Sequence, residues 1–330
     1  MNILVTGACG FIGSHLVEKL VRQNHNVRAF TFYNSRNSHG WLDVVDKKIL
    51  KNLDLISGDI RDYYFLQQQT KKIDVIIHLA ALIGIPYSYH AAKSYIDTNI
   101  TGTYNILNSA KVNNVSKTII TSTSEVYGTA QTIPIKEDHS LNAQSPYAAS
   151  KIAADQLGLS FYKSYGLPVT IVRPFNTFGP RQSARAIIPT IITQLLNEKI
   201  IRLGNLTPTR DFTYVEDTVN AFISAIKTKK TSGEVVNIGS KFEISIKDIL
   251  NIIKKDFGYN FDIKIDKKRI RNKKSEVYRL YSSNTKAKKI LNWSPKYSGL
   301  IGFKKALKKT INWFEDYKNL KHYNSDNYNI

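Results

Sequence analysis

The stretch "TSTSEVYGTA" sets a hydroxyl pair, Thr123 and Ser124, and a carboxylate, Glu125, just beyond the apolar run "KTII". An acid at the end of a strand that reads as buried needs a partner or a task. Further along, Tyr147 and Lys151 in "SPYAASK" stand four residues apart, so on a helix their side chains share one face. An ammonium beside a phenol favours the phenolate and lowers a pKa that starts at about 10, which makes a base able to work at neutral pH. Tyr/Lys pairs at this spacing are common on surfaces. What singles this one out is Thr123, which offers a hydroxyl to the same substrate oxygen.

Gly7, Gly10 and Gly13 in "TGACGFIG" follow a short β-rich run and open a helical pattern with Leu16, Leu20 and Val21 on one face. Glycines here permit a tight turn and let a pyrophosphate approach the backbone, while the helix N-terminus supplies N–H donors and partial positive charge. The spacing Gly-x-x-Gly-x-x-Gly differs by one residue from the commoner dinucleotide fingerprint. At the end of the second strand, "RAFTFYNSR" carries Thr31 where an acid often meets the ribose 2′-hydroxyl, which argues against a strict NAD preference. Ser35 and Arg36 are then placed to accept a 2′-phosphate, and Asp59 in "SGDIRD" to meet an adenine edge.

Further apolar runs at "LDLISGDI", "DVIIHLAAL", "KTIITST" and "PVTIVRPFN" alternate with helix-length amphipathic segments. That alternation predicts a parallel sheet covered on both faces, with ligands beyond the carboxyl ends of its strands. The expected architecture is α/β: a doubly wound, Rossmann-like parallel sheet over residues 1–175 that binds a dinucleotide, and a smaller C-terminal substrate lobe mainly over 176–330. Segments near 212–240 are expected to return to the sheet. The tail from about 317, polar and without period, is expected to be loose.

A chain of 330 residues fits a large domain with a lobe. No apolar segment approaches the roughly 20 residues of a spanning helix, and "MNILVTG" runs into a glycine turn without a cleavage site, so a cytosolic protein away from membranes is expected. The single cysteine, Cys9, can form neither an intrachain disulfide nor a multi-thiolate metal site, and no metal is expected. The net charge of +21 is compatible with nucleic acid, an anionic membrane or a phosphorylated substrate. Its lysines are scattered or gathered in helices such as "GFKKALKKTINWF", with no helix-turn-helix, RNP or zinc-finger pattern, so nucleic acid is not expected. A basic cleft for a diphosphate agrees with the charge.

Together these features resemble the extended short-chain dehydrogenase/reductase family that acts on nucleotide sugars. The likeness runs through almost the whole chain: the glycine turn, "HLAA" at 78–81, Asn99 in "DTNITGTYN", Thr123, Tyr147, Lys151, "RPFNTFGPRQ" at 173–182 and "RDFTYVED" at 210–217. The resemblance implies a dinucleotide cofactor, NAD with NADP not excluded, held by Gly7, Gly10, Phe11, Ile12, Gly13, Thr31, Asn34, Ser35, Arg36, Asp59, Ile60, Leu79, Ala80, Ala81, Asn99, Thr121, Tyr147 and Lys151. It implies that Tyr147 removes the proton of the sugar 4-hydroxyl while hydride goes from C4 to the nicotinamide, and that Lys151 holds the nicotinamide ribose. It places Asn176, Arg181, Arg210 and Arg271 on the nucleotide diphosphate. It also implies a homodimer through "TGTYNILNSAKV" and "SPYAASKIAADQLGLSFYKS".

Epimerases of this family return the hydride to the other face of the sugar and typically carry no acid after the Ser/Thr. A 4,6-dehydratase must also remove the C5 proton, acidic once C4 is a ketone, while the C6 hydroxyl leaves as water; the resemblance makes Glu125 that base, with hydride then returned to C6. dTDP-glucose 4,6-dehydratases carry Thr-Asp-Glu here, whereas Thr123-Ser124-Glu125 and "LGNLTPTRDF" are similar to GDP-mannose 4,6-dehydratases. Glu125, assisted by Ser124, is then expected to hand its proton to the leaving hydroxyl. UDP-glucuronate decarboxylases share "STSEVYG", but "YAASK" departs from their Tyr-Asp-Glu-Gly-Lys. "AALIGIPYSY", "RPFNTFGPRQSARAIIPTIITQ" and "KSEVYRL" most resemble the 4,6-dehydratases of nucleotide-linked N-acetylglucosamine in legionaminic acid-type pathways. That likeness implies GDP- or UDP-N-acetylglucosamine as substrate, a 4-keto-6-deoxy product, and Ile83, Pro86, Tyr87 and Ser88 at the border of the sugar. The rivals are a UDP-glucuronate decarboxylase or a 4-epimerase, and a non-catalytic nucleotide-sensing or RNA-binding module on the same fold, which would have no need of an activated phenol.

Overall fold

The computed structural model describes residues 1–323. Six strands of the main sheet precede residue 175: β1 (Asn2–Thr6), β2 (Asn26–Phe32), β3 (Leu53–Gly58), β4 (Val75–His78), β5 (Lys117–Thr121) and β6 (Val169–Pro174). Their apolar residues alternate between two cores. Ile3, Val5, Ile77 and Ile119 enter one; Leu4, Ile76 and Ile120 enter the other. With a side-chain period of two, that alternation decides which helix covers which face. Leu16 and Leu20 of the helix Phe11–Arg22, with Val219 and Phe222 of Val215–Lys227, cover the first face. Leu66, Ile106, Leu107 and Phe161, from the helices Tyr63–Gln69, Gly102–Val112 and Pro146–Tyr165, cover the second.

A seventh strand, Glu234–Ile238, pairs in parallel with β6, so the order across the sheet is Glu234–Ile238, β6, β5, β4, β1, β2, β3. All neighbours are parallel. The winding reverses between β1 and β4, and the crevice at such a switch is where this class of sheet binds its ligand. Gly7, Leu79 to Ala81, Thr121 to Glu125 and Asn176 all follow the carboxyl ends of strands at that edge.

In the smaller lobe, the strand Thr209–Tyr214 pairs with Asn176–Phe178, Glu243–Ser245 and Arg279–Leu280, and Ile200–Leu203 pairs with Asp262–Ile265. Rings of Phe178, Phe212 and Phe303 pack against one another at 5.5–6.2 Å between centroids. From the segment after 317, Tyr317–Leu320 is a short helix capped by Asp316, and the Tyr323 ring packs on Trp41 and Phe314 at 5.7 and 4.8 Å. The mean polarity of this segment conceals the aromatic that anchors it. Residues 324–330 lie outside the described residues. Among the described residues no helix is long and apolar enough to cross a membrane, and no cluster of His, Cys, Asp and Glu could hold a metal.

Candidate active site

The glycine turn is set by contacts that a side chain would break. Gly7 has φ +67°, and a Cβ there would lie 2.7 Å from the Ala80 nitrogen; a Cβ on Gly13 would lie 2.1 Å from the Gly7 oxygen. The Ser14 N–H is the first to bond back into the helix, to Gly10 O at 2.9 Å, which leaves the N–H groups of Phe11, Ile12 and Gly13 for a ligand at the positive end of the dipole. Thr6 closes the other side: its hydroxyl meets His78 Nδ1 at 2.8 Å and accepts from Ala80 N at 3.2 Å. This cradle of backbone donors fits the pyrophosphate of a dinucleotide.

The acid-bearing turn is built by its own sequence. Thr123 is extended, caps a single 3₁₀ turn over Ser124–Tyr127, and accepts at its hydroxyl from Glu125 N at 3.2 Å. Gly128, at φ +63°, ends the turn. Ser145 caps the next helix by accepting from Ala148 N at 3.1 Å, Pro146 takes its first turn, and Gly166 closes it in the left-handed region. That helix delivers Tyr147 and Lys151 side by side beneath the turn. The Tyr147 phenol faces the Thr123 hydroxyl, and Lys151 Nζ donates to Thr121 O at 2.6 Å. Ser124, Glu125, Tyr147 and Lys151 are all buried.

Burial corrects the expected effect of lysine on tyrosine. It pushes the Tyr147 phenol above its ordinary value, the charges of Glu125, Tyr95 and Asp155 push the same way, and the neighbouring Thr123 hydroxyl alone opposes them. Lys151 is itself brought down to about 8 by burial, with Asp155 acting against the fall. Its ammonium points to the Thr121 carbonyl, so the pair is poised rather than activated.

Arg210 is buried next to the charge of Glu125, and Glu276 lies between Arg210 and Arg271 at 3.7 and 3.8 Å. Asn176 Oδ1 and Thr121 Oγ1 are buried without a partner, which suits them to a ligand. Beside this group opens a cavity of about 900 Å³, lined by Pro86, Tyr89, His90, Thr129, Asn142 and Gln144 on one side and by Lys268, Arg269, Arg271, Lys274 and Ser275 on the other. No carboxylate is among its described lining residues. The cavity adjoins the acid-bearing turn rather than enclosing it: Thr129 follows Tyr127, and Gln144 precedes Tyr147.

Several expected contacts lie elsewhere. Arg181 Nη2 pairs with Glu18 at 2.6 Å on the helix Phe11–Arg22, and its Nη1 is buried without a partner. Asn99 spends its amide on Leu82 N, Leu82 O and Ser150 Oγ. Thr31 is buried, with its hydroxyl 3.1 Å from Ser57 Oγ, which removes it from a ribose. Asp59 is gripped by Arg61 through both carboxylate oxygens. Ile60 packs under Gly102, and Ser88 is buried with its hydroxyl on Ile85 O, turned from any sugar. Asn34 folds its loop by accepting from Arg36 N and Ser38 N, and leaves Ser35 and Arg36 exposed. Ile83 and Tyr87 are exposed near the cleft, and a tyrosine row runs inward from Tyr87 through Tyr95 to Tyr147, with 6.2 Å between successive rings. Two charged groups at the site escaped the sequence reading. Glu276 stands in the quoted "KSEVYRL", and Arg185 has a guanidinium nitrogen 3.5 Å from where a Gly84 Cβ would lie.

Residues 4–308 match the family described as GDP-mannose 4,6 dehydratase. The human dTDP-D-glucose 4,6-dehydratase is 33% identical over 339 aligned positions, covering 97% of this chain and 92% of the human one. The structure of a mutant UDP-glucuronic acid 4-epimerase from Bacillus cereus, in complex with UDP-4-deoxy-4-fluoro-glucuronic acid and NAD, is similar with a TM-score of 0.86 and 30% identity over 96% of this chain and 99% of that one. DesIV, a dTDP-glucose 4,6-dehydratase from Streptomyces venezuelae seen as a double mutant with NAD and DAU bound, gives 0.85 and 28% identity over 97% and 98%.

Proposed function

The chain belongs to the GDP-mannose 4,6 dehydratase family, and on that premise we propose that it is an NAD-dependent 4,6-dehydratase of a nucleotide-linked N-acetylhexosamine, with GDP- or UDP-N-acetylglucosamine as the substrate class. The observation that carries this reading is Glu125: a buried carboxylate in the turn capped by Thr123, beside the Tyr147 phenol and the Arg210 charge. Bound on the glycine cradle, NAD would supply transient oxidation at C4 and reduction at C6. Tyr147, with Thr123 on the same oxygen, takes the proton of the 4-hydroxyl. Lys151 orients the nicotinamide ribose and, as an ammonium, stabilises the phenolate once Tyr147 ionises. Glu125 removes the C5 proton and, with Ser124 beside it, passes that proton to the departing C6 hydroxyl. Asn176, Arg210 and Arg271 hold the diphosphate, and Ile83, Pro86 and Tyr87 border the hexose. Exposed Ser35 and Arg36 leave room for a 2′-phosphate, so NADP is a second cofactor to test.

A 4-epimerase is the competing activity, supported by the likeness to the Bacillus cereus enzyme. Mass spectrometry of the protein incubated with NAD and each nucleotide sugar separates the two. A product lighter by one water supports dehydration; an unchanged mass with altered configuration means epimerisation. The protein is a cytoplasmic homodimer in this proposal, pairing through the helices Gly102–Val112 and Pro146–Tyr165, which expose Tyr104, Val112, Tyr162 and Tyr165. A monomer in sedimentation would remove the dimer.

A further inference from the structure

One buried ion pair joins the strand end, the turn and the helix that carry these groups without entering the chemistry above. Asp155 lies one turn beyond Lys151 on the helix Pro146–Tyr165 and is wholly buried. Its Oδ2 accepts from Ser122 Oγ at 2.8 Å and from Arg173 Nε at 2.9 Å. Arg173, on β6 and 2% exposed, donates through Nη1 to the Tyr127 hydroxyl at 2.8 Å and lies 4.9 Å from the centroid of that ring. Tyr127 in turn donates to Asn237 Oδ1 at 2.8 Å. Ser122 directly precedes Thr123, and Tyr127 ends the turn that carries Glu125. Both flanks of that turn, and the helix that carries Tyr147 and Lys151, therefore meet at one carboxylate and one guanidinium.

A buried ion pair is a poor source of net stability, because the desolvation of both charges offsets their attraction. Its use here is placement. We propose that Asp155 and Arg173 are positioning residues for the reaction, fixing the Thr123–Glu125 turn against Tyr147 and Lys151. The proposal rests on the reading that these four groups carry the chemistry. It has an electrostatic side as well. The Asp155 charge favours the Lys151 ammonium, which burial disfavours, and opposes ionisation of Tyr147. The other groups that face them are His78 and Thr121 toward Lys151, Thr123, Glu125 and Tyr95 toward Tyr147, and Arg173 and Ser122 toward Asp155. Without the Asp155 charge, Lys151 loses its proton more easily and Tyr147 ionises more easily, so both limbs of the pH profile move to lower pH.

The test compares wild type, Asp155→Asn, and the double variant Asp155→Asn with Arg173→Gln, all loaded with NAD and given GDP- or UDP-N-acetylglucosamine. Asp155→Asn should lower kcat roughly 10- to 100-fold with KM and NAD affinity within about threefold, as misplacement of reacting groups does. Its pH profile should shift down. The double variant, which no longer buries an unpaired guanidinium, should recover melting temperature but not kcat. Independently of any substrate, the pH midpoint for acetic anhydride labelling of Lys151, read by peptide mass spectrometry, should fall in Asp155→Asn. Activity lost only in proportion to unfolded protein, with an unmoved profile and labelling midpoint, overturns the proposal, as does kcat recovering with stability in the double variant. If wild type turns over neither sugar, the substrate assignment fails, and the labelling midpoint still decides for or against Asp155.

Discussion

Around the Thr123–Tyr127 turn, Glu125, Tyr147 and Lys151 are buried and tied to strand ends and helix caps, whereas the wall of the adjoining cavity between Lys268 and Ser275 presents exposed Lys268 and Lys274, with exposed Lys267 and Lys273 beside it in the chain. In the proposed reading the two sides do different work. Groups that move protons act in a dry setting where small displacements and single charges change reactivity. Groups that gather an anionic substrate act at the surface, where several weak charges share the load and solvent screens each one. Arg210 sits on the boundary: it is buried like the first set, yet it is linked through Glu276 to Arg271 of the second.

Substitutions should sort along that division. Tyr147→Phe should reduce turnover roughly 100- to 10,000-fold while NAD titration remains near wild type; near-normal turnover would erase the distinction between the dry and the solvated side. Arg210→Gln should raise KM on the order of tenfold or more, because it leaves the diphosphate short of a buried donor, whereas Lys273→Ala should change KM by less than about twofold. Steady-state kinetics on both variants checks the contrast, and equal effects would break it. Gly13→Ala should weaken NAD binding by about tenfold, since its Cβ would press on the Gly7 carbonyl; calorimetric titration reads it directly.

The smallest effect concerns stability. Lys151 falls from 10.5 to about 8 on folding, so the unfolded chain holds a proton that the folded chain has lost between those values. Stability therefore rises with pH across that window. Lys151→Met, though inactive, should melt higher than wild type at neutral pH by about 2–4 °C, and the gap should close as pH rises from 8 towards 10.5. A gap independent of pH would contradict a buried ammonium.

The dry side was largely legible in the sequence because its signals are local. Glycines at a strand-turn-helix junction, a Ser-Pro helix start and a Tyr/Lys pair one turn apart each impose their geometry on near neighbours. The solvated side was not, because an arginine carries no mark of its partner. Arg181 and Arg210 stood in equally suggestive motifs, and only the fold shows Glu18 beside one and Glu276 beside the other. The same holds for Thr31, Asn99 and Ser88, whose polar groups are consumed inside the protein by partners distant in sequence or hidden by a helical turn. Asp155 gave no signal at all, since a carboxylate four residues after a lysine reads as an ordinary surface pair.

The dehydratase proposal turns on Glu125 removing the C5 proton. Its most direct test mixes Glu125→Gln with NAD and GDP- or UDP-N-acetylglucosamine in a single turnover, following the absorbance of reduced nicotinamide alongside product mass. Reduced cofactor should appear and persist while no product lighter by one water forms. Dehydrated product at the wild-type rate would contradict it.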